Sequence, residues 1–200
     1  GVEGSDTGHL VLESIYRRHD EHYAESHGFE PTALAARDGS MEERPAREVR
    51  ALDLKGIALE DLGGKQESDG WRRSMRIRLP LRAPLLLLSF GEDPGLVRAW
   101  VNGVLAYDKA TGTKRPDRPA SLFLVNPGEE SLQVELLTDE RIPLPLYATT
   151  WHELPPVLVA PFMGNWPDDA RPYLFGPRAE LIQPFELDTR EASESTPAMP

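Results

Sequence analysis

An Asn-Gly pair between two apolar-rich runs constrains this chain more than any other feature of its sequence. Asn102 and Gly103 follow the run 96–101 and precede the run 104–108. Both residue types accept positive φ angles, which a two-residue type I′ turn requires at its two central positions. Residues 96–108 are therefore predicted to form a β-hairpin. Strand-like sequence on either side places this hairpin in the middle of an antiparallel sheet.

A succession of short strand-like segments around the hairpin indicates the fold class. Met75 and Ile77 alternate with Arg76 and Arg78, and this period of two is typical of an antiparallel strand with one solvated face. Residues 83–90 are almost continuously apolar, as in a strand that is buried on both faces. Further strands are predicted at residues 48–54, 121–125 and 131–137. Turn signals separate these segments every roughly 8–12 residues, so we expect a mainly β protein, an antiparallel β-sandwich of jelly-roll type.

Prolines become frequent after Arg141 and limit the strands that can form there. Because proline donates no ladder hydrogen bond, only short edge strands are predicted in this region, at residues 146–151, 157–160 and 179–187. The aromatic residues among the prolines indicate a loop-rich cover that packs on the sandwich. Residues 188–200 are rich in Ser, Thr, Glu, Ala and Pro and are predicted to be a flexible tail.

The N-terminal quarter of the chain is predicted to contain one α-helix. Apolar and aromatic residues recur at spacings of three to four within residues 9–26, and Gly28 is a natural stop. Residues 29–47 mix alanines, charges and turn residues, so they are interpreted as an irregular connection. Gly-rich pairs bracket a predicted polar loop at residues 63–70. The predicted domains are a helix and linker at 1–47, a β-sandwich at 48–187 and a tail at 188–200.

Composition excludes several classes of protein. The chain has 200 residues, enough for one well-packed domain, and it has no cysteine, which excludes disulfides and thiolate chemistry. Its formal net charge of −11 disfavours binding to nucleic acid and to anionic membranes. No run approaches the roughly 20 apolar residues of a spanning helix, so direct membrane insertion is not expected. The first residue is Gly1 rather than Met, which favours an excised piece or a processed mature chain.

No motif in the sequence assembles a catalytic or cofactor site. A G-x-S-x-G elbow, a phosphate loop and a G-x-G-x-x-G fingerprint are all missing, so no cofactor is expected. His19 and His22 have the i,i+3 spacing at which a helix can chelate a metal, but the i,i+4 pair and third ligand of zinc hydrolases are not present, and a solvated helix face is the alternative interpretation. Carboxylate pairs in predicted turns fit an acid–base pair or a Ca²⁺ site, and they also fit ordinary turn chemistry. We therefore assign no catalytic residue and no metal site.

Four aromatic residues are the candidate ligand-binding residues: Trp100, Tyr107, Trp151 and Trp166. Trp100 lies on the hairpin face opposite Ala99, Tyr107 lies across the turn, and the other two lie in loops or edge strands. Exposed aromatic planes commonly hold sugar rings, while nearby carboxylates and amides bond the hydroxyl groups. The alternative interpretation is that these aromatics fill a second apolar layer beneath the proline-rich cover.

Two segments resemble the galactose-binding-like jelly-roll domains. They are residues 97–105, which contain Val101-Asn102-Gly103, and residues 127–136, which follow the Pro127-Gly128 turn. The similarity covers about residues 71–137. It implies a β-sandwich module of the kind that accompanies glycoside hydrolases and other cell-envelope enzymes and in some cases binds carbohydrate.

The expected function is a non-catalytic accessory module that binds carbohydrate or an envelope polymer. It would belong to a larger exported or membrane-anchored bacterial protein, which favours a periplasmic or extracellular location. Two alternatives stay open at this point. One is a protein-interaction or assembly domain that uses an exposed sheet edge or apolar patch. The other is a hydrolase that acts on glycans with paired carboxylates or uses a metal near His19 and His22.

Overall fold

A computed structural model shows a mainly β protein built from antiparallel sheets. It describes residues 7–11, 25–26, 28–50, 52–80, 85–91, 95–111, 120–125, 131–153, 156–157, 160 and 178–192. Within these residues the strands are β1 (Thr7–Val11), β2 (Glu30–Ala35), β3 (Met41–Arg50), β4 (Ala58–Glu67), β5 (Gly70–Arg78), β6 (Leu85–Phe90), β7 (Leu96–Val101), β8 (Val104–Asp108), β9 (Ser121–Val125), β10 (Ser131–Thr138), β11 (Leu144–Glu153) and β12 (Arg178–Leu187). No helix in the described part of the chain is long and apolar enough to cross a membrane.

The described residues belong to two compact units. The first lies within Gly1–Leu54 and His152–Glu180, and the second within Lys55–Trp151 and Leu181–Pro200. The predicted domain boundaries at residues 47 and 187 stay a prediction.

The first unit contains a three-stranded antiparallel sheet in the order β1-β3-β2. β2 and β3 are joined by a tight turn, in which Asp38 Oδ1 accepts a hydrogen bond of 3.0 Å from the backbone N–H of Ser40. Gly39 takes a φ of 86° in this turn. Arg37 donates from Nε to Glu180 over 2.8 Å, so a charged pair joins the turn to residues far away in sequence.

This sheet overturns the irregular connection predicted for residues 29–47. β2 and most of β3 lie in that range. β3 ends at Arg50, so it includes the first three residues of the strand that was predicted to begin at residue 48. Most side chains of β3 are exposed, and Ala46 is its one fully buried residue. The strand consequently lacks the apolar alternation from which strands are inferred.

The second unit is a β-sandwich. A five-stranded sheet has the order β4-β5-β10-β7-β8, and a four-stranded sheet has the order β12-β11-β6-β9. Successive strands from β5 to β11 pass repeatedly between the two sheets. One hydrophobic core joins the sheets, with Met75, Val134 and Leu136 on the first and Leu88 and Leu146 on the second, all fully buried.

The elements with the clearest patterns are confirmed. Asn102 and Gly103 have φ angles of 50° and 76°, the positive values that the predicted hairpin turn requires. The hairpin lies at the end of the five-stranded sheet, however, and not in its middle as predicted, because β8 is an edge strand. Met75 and Ile77 of β5 are fully buried, whereas Arg76 and Arg78 are exposed. Four predicted strands match observed ones, namely β5, β6, β9 and β10. Leu85 and Ser89 are buried on the face of β6 opposite Leu88, so this strand is indeed buried on both faces.

The predictions for the proline-rich region are partly corrected. Strand β11 has ten residues and lies between β12 and β6, whereas a short edge strand was predicted. Its proline, Pro145, precedes the stretch 146–150 that pairs with β6, so no ladder donor is missing there. The predicted strand at 157–160 is wrong, because Val157 and Ala160 are helical. Strand β12, which contains Pro184, lies at the edge of its sheet as predicted.

Three further predictions differ in part from the structure. Residues 9–11 lie in β1 rather than in the predicted helix, whose residues 12–24 fall outside the described part of the chain. Gly63 and Gly64 belong to β4, so the predicted polar loop shrinks to a turn at Ser68 and Asp69. Residues 188–192, assigned to the tail, form ordered hydrogen bonds to the second unit.

Candidate functional site

The candidate site lies on the outer face of the five-stranded sheet, which is the face turned away from the hydrophobic core. Val134 and Leu136 of β10 point into the core, so Glu135 between them points outward. Glu135 is paired with Ser74 of β5 on one side and with Trp100 of β7 on the other. Strand pairing therefore places a carboxylate directly beside a partly exposed indole ring.

Arg72 links this indole ring to two carboxylates. The guanidinium carbon of Arg72 lies 4.3 Å from the Trp100 ring centroid, which is the geometry of a cation–π contact. Arg72 donates from Nε to Glu67 over 2.9 Å and from Nη1 to Glu135 over 3.0 Å. The hydrogen bond from Arg72 lowers the pKa of Glu67. At neutral pH the site is thus an aromatic ring covered by one cation and flanked by two carboxylates.

Asn102 ties the hairpin to this site as well as shaping its turn. The Asn102 side-chain oxygen accepts from the backbone N–H of Gln133 over 2.8 Å, and the Asn102 N–H donates to the Gln133 carbonyl over 2.8 Å. The Gln133 side chain approaches Glu135 at 3.4 Å. These bonds fix the hairpin tip against β10 and so hold Trp100 in register with Glu135.

Further ion pairs surround this centre. Arg98 donates to Asp108 over 3.3 Å and to Asp69 over 3.4 Å, while Arg76 pairs with Glu60 over 2.9 Å. Apart from Asp108, whose side chain is 17% exposed, these residues are well exposed, and such pairs are individually worth about 0–1 kcal/mol. The ion pairs of the outer face thus place three arginines and five carboxylates around one aromatic ring.

The structure separates the four predicted aromatic residues. Tyr107 is paired with Ala99, a core residue, and its ring packs against the core rather than beside Trp100. The register of β7 and β8 shifts between Ala99 and Trp100. Tyr107 is therefore opposite Ala99, and Trp100 is opposite Leu105. Trp151 is on the four-stranded sheet and only 3% exposed, and it meets Phe123 edge-to-face with ring centroids 5.8 Å apart. Trp166 lies outside the described residues.

An apolar edge adjoins the site. Strand β8 is the last strand of the five-stranded sheet, so one side of its backbone has no strand neighbour within the described residues. Val104 and Leu105 are 69% and 50% exposed, and Ala106 after them is also exposed. Leu105 is the cross-strand neighbour of Trp100, so apolar surface continues from the outer face to the edge.

The sequence analysis identified Trp100 but not the charged residues around it. Arg72 and Glu67 flank the turn between β4 and β5, and Glu135 comes from a strand that is much later in the chain. Only the sheet order brings them together. Among the described residues no group of His, Asp or Glu is arranged to hold a metal ion, and the His19 and His22 hypothesis falls outside them.

Comparisons of the chain with models of protein families, with curated proteins and with solved structures find no match.

Proposed function

We propose that the β-sandwich is a non-catalytic accessory module that binds carbohydrate or an envelope polymer on its outer face. The observation that supports this is the partly exposed Trp100 ring in a row with Glu135 and Arg72. Sugars present apolar C–H faces to an aromatic ring and hydroxyl groups to carboxylates and cations. The resemblance to galactose-binding-like domains supports the same class of ligand and a larger exported or membrane-anchored bacterial parent protein.

Sugar binding on one side of the Trp100 ring requires the Arg72 side chain to move away. Its guanidinium lies over the Trp100 ring, so a sugar that stacks on this side of the ring must displace it. The Arg72 side chain is 25% exposed, and pairs of this kind contribute about 1 kcal/mol or less. Displacement breaks two such pairs and the cation–π contact and costs about 1–2 kcal/mol in all, and the freed Glu67 and Glu135 oxygens become acceptors for sugar hydroxyl groups.

The test is a glycan-array screen of the purified protein, followed by a tryptophan-fluorescence titration with each glycan that binds. We expect saturable binding that is lost in Trp100→Ala. Phe123→Ala is the matched control, because it removes an exposed aromatic ring from the other sheet and should leave binding unchanged. Equal binding by both variants would contradict the proposed face, and a blank array would favour the second candidate below.

A protein-interaction or assembly role is the second candidate, and the exposed edge strand β8 favours it. Within the described residues one side of its backbone has no strand neighbour, as strand addition requires, and Val104 and Leu105 supply apolar contacts. Sedimentation over a range of concentrations should then show self-association that Leu105→Lys abolishes. Val125→Lys on the edge strand of the other sheet is the matched control. A mass that is independent of concentration would exclude self-assembly through β8.

A further inference from the structure

Residues 188–192 lie along β4 as an extended segment after the last strand. Gly64 N–H donates to the Arg190 carbonyl over 2.9 Å, and Ala192 N–H donates to the Gly64 carbonyl over 2.9 Å. The two bonds form a parallel bridge between Gly64 and Glu191. β4 is the edge of the five-stranded sheet opposite β8, so the segment adds to the side of β4 that has no strand neighbour within the described residues.

Two arginines hold the carbonyl groups that precede this bridge. Arg73, which is buried, donates from Nη1 to the Leu187 carbonyl over 3.1 Å and from Nη2 to the Asp188 carbonyl. Arg141 donates from Nε and Nη2 to the Thr189 carbonyl over 3.0 and 2.6 Å. Together with the Gly64 N–H, these groups bind four successive backbone carbonyls, from residue 187 to residue 190.

The backbone of the segment can lie against β4 because residue 63 is a glycine. A Cβ on Gly63 would lie 2.7–2.9 Å from backbone atoms of Glu191 and Ala192. A Cβ on Gly64 would lie 2.6 Å from Nε1 of Trp71, whose ring is covered by Arg141 at 4.4 Å. The close approach of the two backbones thus requires the absence of a side chain at residue 63, and the packing of Trp71 against β4 requires its absence at residue 64.

We propose that these residues form a binding site for an extended peptide, and that the chain's own residues 188–192 occupy it. We call the site the cradle and define it as Gly63, Gly64, Trp71, Arg73 and Arg141. It recognises its occupant mainly through backbone groups, as in strand addition, and most side chains of the segment remain exposed. Two side chains of the segment add contacts: Glu191 accepts from Arg141 over 2.9 Å, and Arg190 donates to the Asp61 carbonyl over 3.0 Å. The same segment therefore binds when it is supplied as a separate peptide. This site is distinct from the outer face of the proposed function.

The first test uses a chain that ends at Leu187 and a fluorescein-labelled peptide of residues 188–200. Fluorescence polarisation should show saturable binding to the shortened chain. Binding to the full chain should be at least about tenfold weaker, because the tethered segment competes at an effective concentration on the order of millimolar. A peptide with Ala192→Pro lacks the N–H that meets the Gly64 carbonyl and should bind more weakly.

Gly63→Ala in the shortened chain should abolish binding, whereas Gly103→Ala should leave it unchanged. Both glycines have positive φ, at 82° and 76°, but a Cβ on Gly103 meets nothing within 4 Å. Backbone strain is therefore similar in the two variants, and only the clash with the peptide differs. A shortened chain that keeps its circular dichroism spectrum but does not bind the peptide would overturn the proposal, as would equal binding by the two variants.

A second measurement on the full chain decides the matter if the shortened chain does not fold. The native chain has no cysteine, so Ala192→Cys provides a unique site for a nitroxide label. We expect a restrained electron paramagnetic resonance spectrum that becomes mobile with Gly63→Ala or Arg141→Gln and stays restrained with Gly103→Ala. A label that is equally mobile in the parent and in Gly63→Ala would show that the segment does not occupy the cradle.

Discussion

At the scale of single residues, the hairpin turn depends on Gly103. Its φ is 76° and a Cβ would meet nothing within 4 Å, so a substitution there costs backbone strain without a steric clash. Gly103→Val should destabilise the protein by about 1–3 kcal/mol, because a β-branched residue resists positive φ. Thermal denaturation measures this cost. Gly103→Asn should cost less, since Asn tolerates this conformation, and an unchanged melting temperature for Gly103→Val would contradict the turn.

His152 makes stability depend on pH. Burial lowers the pKa of His152 from its usual 6.5, so the folded protein disfavours its protonated form. The unfolded chain therefore binds this proton more readily than the folded chain does. The contribution of neutral His152 to stability is complete above about pH 6.5 and is lost as the pH falls through the pKa of the folded protein. Melting temperatures from about pH 5 to 8 should fall less steeply on the acid side for His152→Gln. Parallel curves for the two proteins would contradict this.

At the scale of strands, two arginines of β5, Arg72 and Arg76, should contribute unequally to the free energy of unfolding. Arg72 is 25% exposed and bonds carboxylates from two other parts of the sheet, whereas the Arg76 side chain is 47% exposed and bonds Glu60 alone. Arg72→Met should destabilise by about 1–2 kcal/mol, because it leaves two partly covered carboxylates without their donor. Arg76→Met should cost about 0–0.5 kcal/mol. Urea unfolding of both variants measures the difference, and equal costs would show that Arg72 acts only as an exposed ion pair.

The strands that were predicted correctly have a regular relation between sequence and burial. In β5 from Met75 to Arg78, and in β10 from Ser131 to Leu136, every second side chain enters the core, and this alternation is visible in the sequence itself. In β3 the side chains are mainly charged and exposed, so nothing in the sequence distinguishes the strand from a polar connection. β11 was misjudged for another reason. Its proline falls before the paired stretch, and the effect of a proline depends on that position.

The candidate site was only partly predictable because it depends on sheet order. Trp100 is recognisable as an aromatic residue opposite a small one on a hairpin strand. Its neighbours Glu135 and Arg72 come from β10 and β5, which lie beside each other in the sheet but far apart in the chain. The pairing of Tyr107 with Ala99 follows a one-residue irregularity between Ala99 and Trp100, which no turn or propensity signal in the sequence marks.

At the scale of the whole molecule, excess negative charge opposes folding. The formal net charge is −11, and mutual repulsion acts over distances of many ångströms. Raising the ionic strength from about 0.01 to 0.15 M shortens the Debye length from about 30 to 8 Å and screens this repulsion. The ion pairs around the outer face have contacts of 2.9–3.4 Å, well within either length, so the same change weakens them little.

Sodium chloride should therefore raise the melting temperature over this range. A gain of about 1 kcal/mol would correspond to about 2–4 °C for a chain of this size. The effect should vanish near the pI of about 4.9, where the net charge is zero and there is no excess repulsion to screen. Thermal denaturation at both salt concentrations, at neutral pH and near the pI, measures the difference. A melting temperature that falls with salt at neutral pH would mean that the ion pairs of the sheet, and not the net charge, dominate the electrostatic free energy of the fold.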